Sequence, residues 1–293
     1  SGDAKELNLS AGAIITSAKS SNKYLNAEFG STWSLLLPLT HIAGINVLIR
    51  SLELGSTPIN LINYQGRFPK VDFTAIVPTQ LYRALEGDEN LLQHLHDARA
   101  VLVGGAALTS ELQGRAVAAG INLIETYGST ETAGGCIYNG VPLDGVEVKV
   151  GDDHRIAIRG KNLAYQLVDS DGWYHTSDLG HFEDGKLIVD GRIDDVVITG
   201  GENISLTAIE KVLQKVIPDV EIAAFAVADS EWGSAIHLAW VGADESMEQI
   251  VQSALTQEIG VAAKIKKFLY LEKLPLIGIG KIDRQALGGM AHE

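Results

Sequence analysis

The sequence predicts an α/β protein: a large domain with a mainly parallel sheet, its helices and a small antiparallel subdomain, followed by a compact α+β domain at the C-terminal end. Three observations carry this. Up to about residue 125, short apolar runs bounded by turn residues alternate with helical patterns, the rhythm of a parallel sheet covered by helices. Near Pro142 the texture changes to short alternating segments separated by Gly and Asp, as in small antiparallel strands. After Arg192 a hairpin, a helix, two strands and a further helix follow within about a hundred residues, the size of a separate domain.

In order, Ser10 N-caps a first helix whose apolar stripe is Ile14, Ile15, Ala18 and Leu25. Strands are expected over 33–37, 73–77, 98–103 and 121–125, with a crossover helix over 109–119 between the last two. The antiparallel subdomain takes 146–150, 155–159 and 186–189. The last part reads as a hairpin over 196–204, a helix over 206–216, strands over 223–227 and 236–241, and a helix over 247–259. The expected domains are therefore 1–193 and 194–293.

With 293 residues, 46% of them apolar and 20% charged, the chain can bury a substantial core. A formal net charge of −14 argues against nucleic acid or an anionic membrane as a general partner. The single cysteine, Cys136, excludes an internal disulfide and a cysteine-built metal site, as expected of a cytoplasmic protein. No run of about 18 apolar residues is present, so no membrane insertion is expected.

Four strings stand out: Tyr127-Gly128-Ser129-Thr130-Glu131, Trp173-Tyr174-His175-Thr176-Ser177-Asp178, Gly191-Arg192-Ile193-Asp194-Asp195, and Gly280-Lys281-Ile282-Asp283-Arg284. Each has a bland reading by itself. Tyr127-Gly128 can be a plain turn, Asp178 and Arg192 a surface ion pair, and Lys281 a solvated loop charge. Read together and in order, they resemble the family of adenylate-forming enzymes, which includes acyl-CoA synthetases, luciferases and peptide-synthetase adenylation domains. The resemblance covers nearly the whole chain.

The resemblance implies roles for particular residues. Gly104-Gly105-Ala106 and Tyr127-Gly128 would wall an adenine slot, Thr130 would bond the phosphates of ATP, and Glu131 would help hold Mg²⁺, a cation that prefers hard oxygens. Asp178 and Arg192 would grip the ribose hydroxyls. Lys281, on a mobile loop freed by Gly278 and Gly280, would reach the acid carboxylate and the α-phosphate. Asp194 would be the hinge about which the small domain turns, and Gly200-Gly201 would line the tunnel for the pantetheine arm of coenzyme A, unless they are simply a hairpin turn.

His41, in Leu37-Pro38-Leu39-Thr40-His41-Ile42-Ala43-Gly44, and Ser129 would line the acid pocket. Arg50 would bind a second substrate carboxylate or, alternatively, cap its own helix. The stretch from Gly134 to Val146 resembles the branch of the family that joins o-succinylbenzoate to coenzyme A in menaquinone biosynthesis, in its actinobacterial form. An aromatic carboxylic acid, ATP and CoA are thus the expected small-molecule substrates; another acid or a catalytically silent homologue stays open. A peptide-synthetase module is disfavoured because no carrier domain follows residue 293. Cys136 is expected as a buried small hydrophobe, since the reaction needs no enzyme thiol. Of the family's phosphate loop only its tail, Ser1-Gly2-Asp3-Ala4-Lys5, is recognisable. Either the numbering begins inside a longer protein or adenylation is impaired.

Overall fold

The computed structural model describes residues 6–218, 220–277 and 281–291. Lys5, Gly278, Gly280 and the side chain of Lys281 lie outside the described residues. The chain forms two compact units, one of everything up to Thr176 with Phe182–Ile188, the other of Ser177–His181 with Val189–Glu293. The sequence reading divides the chain at Asp194. Here residues 189–193 go with the later unit because Lys211 Nζ donates to the carbonyls of Val189 and Asp190, 3.1 Å each, and Gly191 lies against Thr207.

The first unit is built on a seven-stranded sheet of β1 (Trp33–Leu35), β2 (Ile59–Asn60), β3 (Phe73–Ile76), β4 (Ala100–Gly104), β5 (Leu123–Ser129), β6 (Gly134–Tyr138) and β7 (Val141–Pro142). Their order is β2-β1-β3-β4-β5-β6-β7. The first five pair parallel, while β6 returns antiparallel to β5. The helices are α1 (Ala11–Tyr24), α2 (Ile42–Glu53), α3 (Pro78–Leu85), α4 (Glu89–Asp97) and α5 (Ser110–Ala118). Ser10, Asp88 and Thr109 cap α1, α4 and α5, each accepting from a backbone N–H three residues on, at 3.0 to 3.1 Å.

Alternation along the strands feeds two apolar layers. Ile76, Val101 and Val103 pack with Leu81, Leu95 and Ala116 of α3 to α5. Trp33 and Phe73, with ring centroids 5.2 Å apart, are buried on the opposite parity, and Arg50 of α2 lies over the Trp33 ring. The helices α3 and α4 were not expected from the sequence; Pro78 begins α3 at a position where its missing N–H costs nothing.

Strands β8 (Val146–Val150), β9 (Arg155–Gly160), β10 (Trp173–Glu183) and β11 (Lys186–Arg192) form a sheet in the order β11-β10-β9-β8. This is the expected antiparallel texture, and β8 and β9 pair antiparallel.

The second unit begins with the hairpin of β12 (Val196–Thr199) and β13 (Glu202–Ser205), followed by α6 (Leu206–Val216), β14 (Glu221–Asp229), β15 (Gly233–Val241), α7 (Glu248–Glu258), β16 (Lys267–Tyr270), β17 (Leu276–Ile277), β18 (Lys281–Ile282) and α8 (Arg284–Met290). Its three-stranded sheet is covered on both faces. Ile222, Ala224, Ile236, Leu238 and Trp240 pack with α6 and α7; Ala223, Phe225 and Ala239 pack with Leu287 of α8. Among the described residues no helix is long and apolar enough to cross a membrane.

One polar cluster interrupts the first core. His94, 3% exposed, places Nε2 2.8 Å from Ser34 Oγ and Nδ1 2.9 Å from Pro69 O, and Ser34 donates to Thr74 Oγ1 at 2.7 Å. Burial holds the His94 imidazole below its usual range. The folded protein therefore keeps His94 neutral at a pH where the unfolded chain already binds a proton. Stability is intact above the unfolded value of about 6.5 and declines as pH falls below it, by at most about 1.4 kcal/mol per pH unit for this group. Denaturant unfolding at pH 5.5 and 7.5 should reveal this slope, and His94→Gln should be less stable at neutral pH yet flatter in its response to acid.

Candidate active site

The carboxyl ends of β4 and β5 lie side by side, with Gly104 opposite Thr126. That is where open parallel sheets hold ligands. A Cβ on Gly104 would sit 2.2 Å from Thr126 Oγ1, so the neighbouring strand already demands glycine there. Gly105 is different: its φ of 86° favours glycine, and Gly105 and Ala106 are exposed.

Beyond Tyr127, which is half-buried, the chain makes a tight turn through Thr130–Thr132 and re-enters as β6. Three side chains brace this turn. Asn46 of α2 donates to Ala133 O at 2.8 Å, Asn162 donates to Thr132 O at 2.9 Å, and Thr132 Oγ1 accepts from Ser129 N–H at 2.8 Å. Close approach fixes the glycines: a Cβ on Gly128 would lie 2.2 Å from Gly134 O, and one on Gly134 2.1 Å from Asn46 Nδ2. Held this way, the turn leaves Thr130 exposed and Glu131 half-buried. The Glu131 backbone is fixed by its carbonyl, which accepts from Ala164 N–H at 2.9 Å. No protein group bonds its carboxylate among the described residues.

His41 occupies the N-cap position of α2 without capping it, half-buried. Gly44, one turn on, lets the helix start against Pro38, whose carbonyl oxygen would be 2.4 Å from a Cβ. Arg50 is 4% exposed. Its Nη2 donates to Tyr138 Oη at 3.1 Å, Tyr138 Oη also shares a proton with Ser21 Oγ at 2.8 Å, and the guanidinium lies 5.2 Å from the Trp33 ring centroid. The helix-capping alternative thus fails, because the guanidinium points to Tyr138 and Trp33. Arg50 Nε has no acceptor, and no carboxylate pairs with Arg50 among the described residues. Asn46 and Arg50 are one turn apart on α2, and Gly134 and Tyr138 are the two ends of β6, so Arg50 and the braced turn are held by the same two elements.

In the second unit, Arg192 forks Asp194 with two bonds of 2.8 Å and donates to Asp178 Oδ1 at 3.2 Å. The fork to Asp194 pushes the Arg192 guanidinium up and holds the Asp194 carboxyl below the usual carboxylate range. Asp178 and Arg192 are thus brought together, and Asp194 joins them. Gly200 and Gly201, with φ of 59° and 84°, form the two-residue turn between β12 and β13, a geometry that demands φ > 0 at both positions. The hairpin reading of these glycines is met, and a Cβ on Gly200 would press into the Trp232 ring at 2.9 Å. The backbone of Lys281 lies in β18, paired with Ile277.

A family model described as AMP-binding enzyme matches residues 1–172, and the chain belongs to that family. Within it, the chain is 34% identical over 313 residues to the probable 2-succinylbenzoate–CoA ligase of Mycobacterium tuberculosis, covering 98% of this chain and 81% of that one. It is 27% identical to the 2-succinylbenzoate–CoA ligase of Listeria monocytogenes, covering 87% and 61%. Among solved structures, o-succinylbenzoate CoA synthetase from Bacillus subtilis in complex with its acyl-adenylate intermediate superposes with a TM-score of 0.81 at 25% identity, covering 98% of this chain and 66% of that one. The chain thus spans under two thirds of the Listeria enzyme's length and about two thirds of the Bacillus enzyme's.

Sequence reasoning missed Asn46, Asn162, Thr132 and Tyr138. Asparagine inside an otherwise apolar helix is the one signal that could have pointed to Asn46. Cys136 is 1% exposed, and burial pushes its thiol up to about 12. It should resist thiol reagents in the native protein and react fully once denatured, which a colorimetric thiol count in buffer and in concentrated guanidinium would check.

Proposed function

We propose that this protein joins o-succinylbenzoate to coenzyme A at the expense of ATP. The observation that carries the choice of acid is Arg50, a buried guanidinium with an unused Nε–H and, among the described residues, no carboxylate partner. A buried cation of this kind is costly unless an anion meets it. o-Succinylbenzoate has two carboxylates, one to be activated and one left over, and the spare carboxylate supplies that anion. His41 and Ser129 line the same pocket.

In the first half-reaction a carboxylate oxygen attacks the α-phosphorus of ATP; the bond to pyrophosphate breaks and an acyl-adenylate forms. Adenine lies between Gly104-Gly105-Ala106 and Tyr127-Gly128, where the exposed Gly105 backbone and a half-buried ring offer flat faces. Thr130 bonds phosphate oxygens, as does Lys5. Mg²⁺ takes oxygen ligands, commonly one or two carboxylates with substrate phosphates. The unpaired Glu131 carboxylate fits that donor set, and the cation would offset phosphate charge. Asp178 and Arg192 hold the ribose. Lys281 stabilises the charge that develops between the carboxylate and the α-phosphate.

In the second half-reaction the small domain, residues 194–293, turns about Asp194, and the CoA thiol arrives along Gly200-Gly201. Sulfur attacks the acyl carbon, AMP leaves with the bonding electrons, and the thiol proton is lost. The carboxylate and the CoA thiol are the only nucleophiles, which accords with a buried, inert Cys136. The substrates are small molecules, and a reducing cytoplasm suits the lone thiol.

Pyrophosphate release with Mg·ATP should be seen with o-succinylbenzoate and not with benzoate or a medium-chain fatty acid; release with no acid at all would sink the reading. Lys281→Ala should lower adenylate formation by about a hundredfold or more, the scale of losing a group that stabilises transition-state charge, while sparing thioester formation from supplied acyl-adenylate. Arg50→Met should raise KM for o-succinylbenzoate by about 10- to 100-fold, the worth of a charge-assisted bond, and leave KM for ATP unchanged. A matching rise in both constants would remove Arg50 from the acid pocket.

A further inference from the structure

Three residues beyond the lysine of the last motif, Arg284 spends its guanidinium on three different segments. Nε donates to Ala224 O of β14 at 2.9 Å, Nη2 donates to Glu210 Oε1 of α6 at 2.8 Å, and Nη1 stands 3.7 Å from Asp195 Oδ1. Glu210 Oε1 also accepts from Ala224 N–H at 2.9 Å, so the arginine, the glutamate and one peptide unit of β14 close a ring. Asp195 is held in turn by Thr207 Oγ1 at 3.2 Å. It directly follows Asp194, which the reading above makes the hinge.

The other end of this network is the segment that carries Lys281. Ile277 pairs with Lys281 and Leu276 with Ile282; Asp283 N–H donates to Pro275 O at 2.9 Å, and Asp283 Oδ1 accepts from Ala286 N–H at 3.0 Å. Ile282 packs against the cluster of Ala223, Phe225 and Leu287. The backbone from Lys281 to Arg284 is therefore fastened at every residue after the lysine, and its one charged anchor reaches back to the hinge segment.

We propose that Arg284, with Glu210 and Asp195, is a positioning device for the first half-reaction: it makes the Lys281 strand and the hinge segment 193–195 parts of one rigid body, so that turning at Asp194 delivers the lysine to a fixed place. This rests on the role given to Lys281 above. The fork is specific to arginine, because a lysine ammonium is a single point that cannot bond Ala224 O and Glu210 together in the same planar geometry. A displacement of about 1 Å in a catalytic group can cost on the order of a hundredfold in rate, so the device acts on the rate of adenylation rather than on substrate binding.

The test compares wild type, Arg284→Lys, Glu210→Gln and Arg284→Ala made both alone and on Lys281→Ala. Adenylate formation is followed by pyrophosphate release, thioester formation from supplied acyl-adenylate, and backbone protection by hydrogen exchange. Arg284→Lys and Arg284→Ala should each lower kcat for adenylation by about ten- to a hundredfold with KM for ATP unchanged, and alter thioester formation by less than about twofold. Glu210→Gln keeps an acceptor oxygen and should fall between these and wild type.

On Lys281→Ala, removal of Arg284 should cost nothing further, since the group it positions is gone. Exchange should rise over 276–284 and stay unchanged in α6 and β15. Equal loss in both half-reactions, or the same loss with and without Lys281, would make Arg284 a merely structural residue and overturn the proposal. If wild type itself forms no adenylate with any acid, the functional reading fails instead; a uniform rise in exchange across the unit would then also refute the positioning role.

Discussion

The large unit depends on one amide. Asn46 Nδ2 reaches from α2 to Ala133 O at 2.8 Å, and the space it needs is so narrow that only glycine fits at 134. Through that bond a helix on one face of the sheet dictates where the chain turns after β5. The turn then determines where Thr130 and Glu131 stand. Removing the amide would leave a buried carbonyl unpaired, at a cost of about 1–3 kcal/mol, and would free the turn as well. The glycine-rich character of residues 128–135 is thus a packing requirement first, since Gly128 and Gly134 are crowded by neighbours.

Arginine is used in two ways. In the first, Arg50 is buried between Trp33 and Tyr138 with no carboxylate paired to it among the described residues. In the second, arginines are saturated: Arg192 bridges Asp178 and Asp194, and Arg284 serves Glu210 and Asp195. An arginine with all its partners inside the protein holds a shape, while one lacking a partner has binding capacity to spare. This contrast separates residues that keep the scaffold from one that can meet a substrate, although both kinds look alike as single letters in a sequence.

Much of the fold was legible. Alternation placed β3, β8, β9, β14 and β15 to within a few residues, because both faces of these strands are buried or regularly half-buried. Where strand ends were missed, tertiary pairing overrode the local signal. The sequence ends a strand at residue 125, yet β5 runs on to Ser129 since β6 pairs across Gly128 and Gly135. The short helices α3 and α4 were overlooked, their apolar residues being too few to stand out from the flanking loops. The candidate site was visible in the sequence only as motifs, and its supports were not visible at all. Asn46, Asn162 and Glu210 act through partners between 14 and 87 residues away, a relation no local pattern records.

The three-stranded sheet of the second unit ends at β14, and an edge strand ordinarily offers unpaired backbone groups to any other chain that comes near. At the middle of that edge, Ala224 gives its N–H to Glu210 and its carbonyl to Arg284. Two oppositely charged side chains thus occupy the place a foreign strand would take. Crowded solution is where this matters, for the protein then meets copies of itself continually. The same ring of bonds that holds the lysine segment in place also blocks a further strand from adding at the β14 edge.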